Sequence, residues 1–519
     1  MKNYKKYILG TAILSMSLIG CTDDQVLNLS PINSIDESTA FSTPDLIKAS
    51  VNGMYQAAQI GFYTGSGRGY LWGAAYTQQN DMRGEDVVNT AAFYQISYQG
   101  TYDGNSANNV YYWIDSYRLI NRCNLIIEGV TKAIANGIID QTTGNDYIGQ
   151  AKFLRGITHF ELLIHFARPY QDNPNSNFGV PYRDYAINSG SSIDLAFNDG
   201  RLSVYDSYVK VLEDLDEAEA LTSTSDLIKG NKNAAIAFKA RVKLHMRDWT
   251  GVLTEVNKIE NQYTLTASPS GVFDNNATNT ESIFSIQHSA AVNPSVNGAL
   301  ASQYKRRLLV AISPIIWNDQ DWLADDLRRA ETNVSDGSDD TGKLIFNSAG
   351  VKYTNKYRDT NTYTDYTPII RFAEVLLMKA EAEARLNGVT TDAVDALNAV
   401  RNRALANVAV QAYTTASFAN SADFVGKVIK ERRIEFLLEG RRWADIHRLQ
   451  MDDLSPVSGI PAKYSNGTVP ASVYDPTTPY TGTLGTNSIP YSDHRFLFPL
   501  PILETSVNPI LAQQQNPGY

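Results

Sequence analysis

Residues 430–449 read KERRIEFLLEGRRWADIHRL, and the rest of the chain is organised around this stretch. Val425, Ile429, Phe436, Trp443 and Ile446 fall at helical intervals, which predicts one long helix with a single core-facing side. The remaining positions are crowded with charge, and Lys427 with Glu431, Arg432 with Glu435, and Arg441 with Asp445 stand one turn apart. Glu435, Glu439 and Arg442 have the residue types of an acid/base site. Helical spacing accounts for them equally as a salt-bridged face, so the stretch reads as scaffold.

The same periodicity runs outward from it. Pro44-Asp45 opens a helix toward Gln59. Trp113, Tyr117, Ile120, Asn124 and Ile127 share one face, and Phe153, Ile157, Phe160 and Ile164 share another within Gly144 to Ala167, predicting an antiparallel pair closed by Arg168-Pro169. Ser203 is placed to cap a helix carrying Tyr205, Tyr208, Leu212 and Leu215, with further helices expected over Asn233 to Met246 and Thr250 to Gln262. Pro368 to Asn387 and the helix of Ala393, Leu397, Val400 and Ala404 complete the series. Short helices alternating with short loops give a mostly α fold, a tetratricopeptide-like helical-repeat scaffold without a strict period.

Two long segments break the rhythm. Residues 61–109 are interrupted by Gly61, Gly65, Gly67, Gly69, Gly73, Gly84, Gly100 and Gly104; residues 264–366 are punctuated by Pro269, Gly271, Pro294, Gly298, Pro314 and Gly337. Long irregular segments in a compact chain are functional or disordered, and their aromatic content argues against disorder. Sugar rings stack on Trp and Tyr while their hydroxyls need amide, carboxylate or guanidinium partners. The candidate ligand-binding residues are therefore Trp72, Tyr94, Tyr98, Tyr304, Trp317 and Trp322, with Asn80, Asp81, Arg83 and Asn89 as polar partners. Trp113 and Trp443 sit in helical register and are expected in the core. The 30 Tyr residues, against 18 Phe, suggest a wet, contact-making surface.

Catalytic chemistry is not visible. His159 and His165 do not share a helix face, Glu161 and His165 do, and no third metal ligand stands at a telling distance. No nucleophile has an evident base, and Gly65-x-Gly67-x-Gly69 lacks a strand-to-helix context, so no enzyme, metal or cofactor is expected. A net charge of −10 excludes nucleic acid as a partner.

Lys2, Lys5 and Lys6 precede a short apolar run, Tyr7 to Gly20, the pattern of a secretion signal. Leu18-Ile19-Gly20-Cys21 is similar to a lipobox, making Cys21 the expected site of lipidation, and residues 22–43 read as a tether. Cys123 is the only other cysteine, so with Cys21 acylated no intrachain disulfide is expected.

ERRIEFLLEGRRWADIHR resembles the ERR-x-EF-x-x-EG-x-RW-x-D-x-x-R signature of the SusD/RagB family of Bacteroidetes outer-membrane nutrient-binding lipoproteins. AKFLRGITHFELLIHFARPY with downstream GVPY, RFAEVLLMKAEAEARLNG, ALNAVRNRA, Asp326-Leu327-Arg328 and the terminal HRFLFPLP and QNPGY resemble its other blocks. Ala167-Arg168 departs from the usual aromatic-Gly ending. The resemblance implies about four helical-repeat units. It also implies a signal peptide over 1–20, a lipidated tether over 21–43, an N-terminal region over 44–262 and a C-terminal region over 263–519. Functionally it implies a cell-surface lid that binds oligosaccharides for a SusC-like TonB-dependent barrel, with an oligopeptide-binding lid as the alternative.

Overall fold

The computed structural model describes residues 37–61, 71–335 and 340–519. The signal, Cys21, most of the tether, and Phe62, Tyr63, Gly65, Gly67, Gly69 and Tyr70 of the first insertion lie outside the described residues.

Several scaffold helices start where the sequence supplies a side-chain cap. In α1 (Pro44–Ile60), Pro44 occupies the first turn, where its missing N–H costs nothing, and the Thr43 hydroxyl accepts from the Leu46 amide. After α2 (Ala74–Met82) come α3 (Ala107–Ala135) and α4 (Gln141–Phe166), whose first turn is capped by Asp140. Side chains of Ser203 and Asn231 cap α5 (Val204–Leu221) and α6 (Lys232–Met246), and α7 (Trp249–Ile259) follows. Then come α8 (Phe372–Asn387), α9 (Thr391–Asn402) and α10 (Ser421–Glu435).

Packing runs from neighbour to neighbour: α3 on α4, α4 on α5, α5 on α6, α6 on α7, α7 on α8, and α8 on both α9 and α10. This is the helical-repeat scaffold expected from the sequence. Its largest buried cluster includes Ile47, Trp113, Phe153, Phe238, Trp443 and Leu511, so the core is continuous across residues 262–263.

The stretch at 430–449 is not one helix. α10 ends at Glu435, and α11 (Arg442–Arg448) begins only after a turn in which Leu438 and Gly440 have φ of 64° and 71°. At Gly440 a Cβ would lie 2.9 Å from Thr77 Cα, so the close approach of α2 requires glycine there. The break divides the expected face: Val425, Ile429 and Phe436 join the α8–α9 core, whereas Trp443 and Ile446 enter the main core.

Pro368 likewise lies in a strand, not in α8. Strand β7 (Thr367–Arg371) pairs antiparallel with β2 (Ser282–Ile286) and leads into α8 at Phe372. Strand β1 (Val87–Asn89) of the first insertion pairs antiparallel with β3 (Val310–Ile312) of the second. That pairing joins two segments more than two hundred residues apart on one side of the scaffold. A small sheet of β4 (Glu331–Thr332), β5 (Ile345–Ser348) and β6 (Val351–Thr354) completes the second insertion.

Candidate functional site

The two insertions meet through the β1–β3 pair, but their ten nominated side chains point inward. Tyr94, Tyr98, Tyr304, Trp317 and Trp322 form one buried cluster behind the β1–β3 pair, each at most 3 % exposed. The Trp317 and Trp322 rings meet edge to face at 5.3 Å, with the Arg329 guanidinium over both. Tyr98 donates its hydroxyl to the Tyr464 carbonyl at 2.7 Å.

Trp72 belongs to the main core, against Tyr76. Asn80 donates to the Tyr76 carbonyl, and Asn89 donates to Asn466 Oδ1 at 2.7 Å. Arg83 is stacked 3.4 Å from the Trp443 ring centroid. Asp81 accepts from the Gly440 amide, and burial pushes its pKa well above the usual carboxylate range. These residues are corrected to packing, because β1–β3 pairing turns the insertions into a second core that needs large side chains. The tyrosines divide: Tyr76, Tyr112, Tyr208 and Tyr357 are among the largest fully buried side chains, whereas Tyr205, Tyr363, Tyr366 and Tyr480 keep part of their surface in solvent.

The charged stretch is also buried. Glu435 Oε1 lies 2.7 Å from Arg371 and 2.5 Å from Arg403, and its Oε2 lies 3.0 Å from Arg328. Glu439 meets Lys356 at 2.6 Å and Arg371 at 3.0 Å, while Arg442 reaches Glu85 at 2.8 Å. Burial alone would raise the pKa of Glu435, but Arg403, Arg371 and Arg328 outweigh it and hold the group well below its ordinary value. The expected one-turn pairs are replaced by longer connections: Lys427 to Asp321, Glu431 to Arg328, Arg432 to Asp445 and Arg441 to Glu374. The stretch remains scaffold, as an internal ion network and not a solvated face.

His159 is sandwiched against Tyr182 at 3.8 Å and accepts at Nε2 from the Arg183 amide; desolvation lowers its pKa to about 3. His165 stacks on Phe498, and the carboxyl of Glu161 is raised by burial to about 7. Among the described residues no group of three His, Cys, Asp or Glu is arranged to hold a metal ion.

Polar and aromatic groups that keep some exposure lie in the loops around these cores, at residues the periodicity could not single out. The segment 287–309 and the loop 359–366 are tied together: Gln287 donates to the Tyr366 hydroxyl at 2.8 Å, and Asn293 to the Thr362 carbonyl at 3.1 Å. Arg306 donates to the Tyr363 hydroxyl. The Thr90 hydroxyl of the first insertion donates to the Leu308 carbonyl, and Phe93 is half-buried beside the second core.

This cluster carries unusual backbone. Ser302–Arg306 forms a single π-helical turn, and Ser295, Leu308 and Tyr363 have φ of 57°, 55° and 59°. Left-handed conformations are costly for a leucine or tyrosine, and such strain gathers where a loop is held for binding. Beside the cluster, a cleft of about 580 Å³ runs between α1 and residues 287–292, lined by Asn52, Tyr55, Gln56, Lys229 and Gln287. Lys229 lies over the Tyr55 ring at 4.1 Å. The adjacent Arg306-Arg307 and the run Tyr363-Thr364-Asp365-Tyr366 are the signals that sequence reasoning passed over.

Asp365, in this loop, accepts from the Asp359 amide at 2.8 Å, and burial raises its pKa to about 6. No helix among the described residues is long and apolar enough to cross a membrane.

Comparison with known proteins agrees with this architecture. Residues 27–244 match a family model described as "Starch-binding associating with outer membrane", and residues 317–519 match the SusD family. The SusD-like protein P2 of Formosa agariphila is 25% identical over 99% of this chain and 100% of its own length. A SusD superfamily protein from Bacteroides fragilis superposes with a TM-score of 0.71 at 22% identity, covering 91% of this chain and 99% of its own. A SusD-like carbohydrate binding protein from Bacteroides vulgatus gives 0.69 at 19% identity, covering 91% and 98%. With the signature blocks seated in one scaffold and family models matching both halves, the chain belongs to the SusD/RagB family.

Proposed function

We propose that this protein binds oligosaccharides at the outer cell surface, held there by acylation of Cys21, and delivers them as the lid of a SusC-like TonB-dependent barrel. It binds without turnover. The observation that carries the reading is the loop cluster of Gln287, Asn293, Arg306, Tyr363 and Tyr366, which gathers amide, guanidinium and phenol groups around strained backbone in a member of this family. Sugar hydroxyls match amide and guanidinium groups, and phenol faces take their C–H surfaces. The descriptions of the N-terminal family model and of the Bacteroides vulgatus neighbour support a carbohydrate ligand.

The test is calorimetric titration of the full chain in detergent against neutral and acidic oligosaccharides and a tryptic peptide mixture. Saturable glycan binding weakened at least tenfold by Tyr363→Ala, with the unfolding midpoint unchanged, is the expected result. Binding to peptides alone replaces this reading with the oligopeptide-binding lid.

A further inference from the structure

We infer that the loop cluster selects acidic oligosaccharides, those bearing carboxylate or sulfate groups, with Arg306 and Arg307 as the anion-binding residues. This rests on the glycan-binding reading above.

The two guanidinium groups are exposed, and neither pairs with a carboxylate among the described residues. Their partners are neutral and diverge. Arg306 donates to the Tyr363 hydroxyl and to the Thr360 carbonyl at 3.4 Å; Arg307 donates to Asn297 Oδ1 at 3.1 Å and to the Val296 carbonyl at 3.5 Å. Neutral acceptors orient a guanidinium without cancelling its charge, leaving donors for a planar anion.

The acids described beside this loop have partners other than Arg306 and Arg307. Asp340 is held by Lys305 at 2.6 Å and lies 3.8 Å from Arg358, and Asp359 accepts from the amides and hydroxyls of Thr362 and Thr364. Asp365, facing the same loop, accepts from the Asp359 amide. In a chain of net charge −10, two adjacent arginines without acidic partners among the described residues make a local field that attracts anions against the background. The strained Leu308 and Tyr363 and the π-helical turn ending at Arg306 fix where both side chains leave the backbone.

The test titrates the full chain in detergent with oligogalacturonides, sulfated chondroitin oligosaccharides, neutral malto- and xylo-oligosaccharides, and a tryptic peptide mixture. Wild type is compared with Arg306→Gln, Arg307→Gln and the double variant, each checked for an unchanged unfolding midpoint. The inference expects an acidic oligosaccharide to bind, its affinity to fall steeply as salt is raised from about 0.05 to about 0.5 M, and the double variant to lose at least tenfold. The two acidic arms distinguish carboxylate from sulfate. Binding of neutral oligosaccharides alone, untouched by either substitution, overturns the charge assignment while leaving glycan binding intact. Binding of peptides alone, or of nothing in the panel, overturns both.

Discussion

Replacing Arg371 by methionine tests whether the buried ion network holds the scaffold together. Its guanidinium meets Glu281 at 2.6 Å, Glu435 at 2.7 Å and Glu439 at 3.0 Å, and also donates to the Glu435 carbonyl. Glu281 immediately precedes β2, Arg371 ends β7, Glu435 ends α10 and Glu439 lies in the α10–α11 turn, so one side chain ties the second insertion to the repeat scaffold. Removing one partner from a buried ion pair costs about 3–5 kcal/mol, because the remaining charge is left in a medium that solvates it poorly. Each carboxylate here keeps a second cation: Glu281 keeps Arg403, Glu435 keeps Arg403 and Arg328, and Glu439 keeps Lys356. The loss at pH 7.5 is therefore placed near the lower end, about 3 kcal/mol.

The pH dependence separates this account from simple loss of packing. Burial raises the pKa of Glu439, and Arg371 and Lys356 bring it below its ordinary value. Without Arg371 its folded pKa rises, so the variant takes up a proton in the folded state and regains stability as pH falls through the new value. The deficit relative to wild type shrinks by about 1.4 kcal/mol per pH unit for each carboxyl that protonates. Urea unfolding followed by tryptophan fluorescence and circular dichroism between pH 7.5 and 5 reads both quantities. A deficit below about 1 kcal/mol that stays flat with pH is the behaviour of a surface pair and refutes the reasoning.

Two further outcomes are expected. His159 has a folded pKa of about 3, so below the ordinary imidazole value the unfolded chain takes a proton that the folded one refuses, and stability falls as pH drops. His159→Gln shallows that decline by about 1.4 kcal/mol per unit between pH 6 and 4 in urea titrations; an unchanged slope contradicts a buried neutral imidazole. Trp317→Ala, in a residue 3 % exposed, lowers unfolding free energy by about 3–5 kcal/mol. Denaturant titration checks it, and a ligand-binding defect at unchanged stability would restore Trp317 to the surface.

Most scaffold helices and their order are legible in the residue pattern. Helical spacing of Trp113 and Tyr117 and the cap at Ser203 act through neighbours a few residues away, so they are legible without the fold. The sequence also located the two insertions, because glycine and proline interrupt periodicity locally. What tertiary structure alone decided is which insertion side chains face inward. β1–β3 pairing joins residues 87–89 to 310–312, and this long-range contact places Tyr94, Tyr98, Tyr304, Trp317 and Trp322 in a core while leaving Arg306, Arg307 and Tyr363 around its edge. The charges followed the same rule: Glu435 and Arg371 are far apart in sequence, and only the packing of β7 against the end of α10 brings them into one buried network. Burial is a property of the assembled chain. An aromatic or charged residue in an irregular segment carries no local signal of the side it will face.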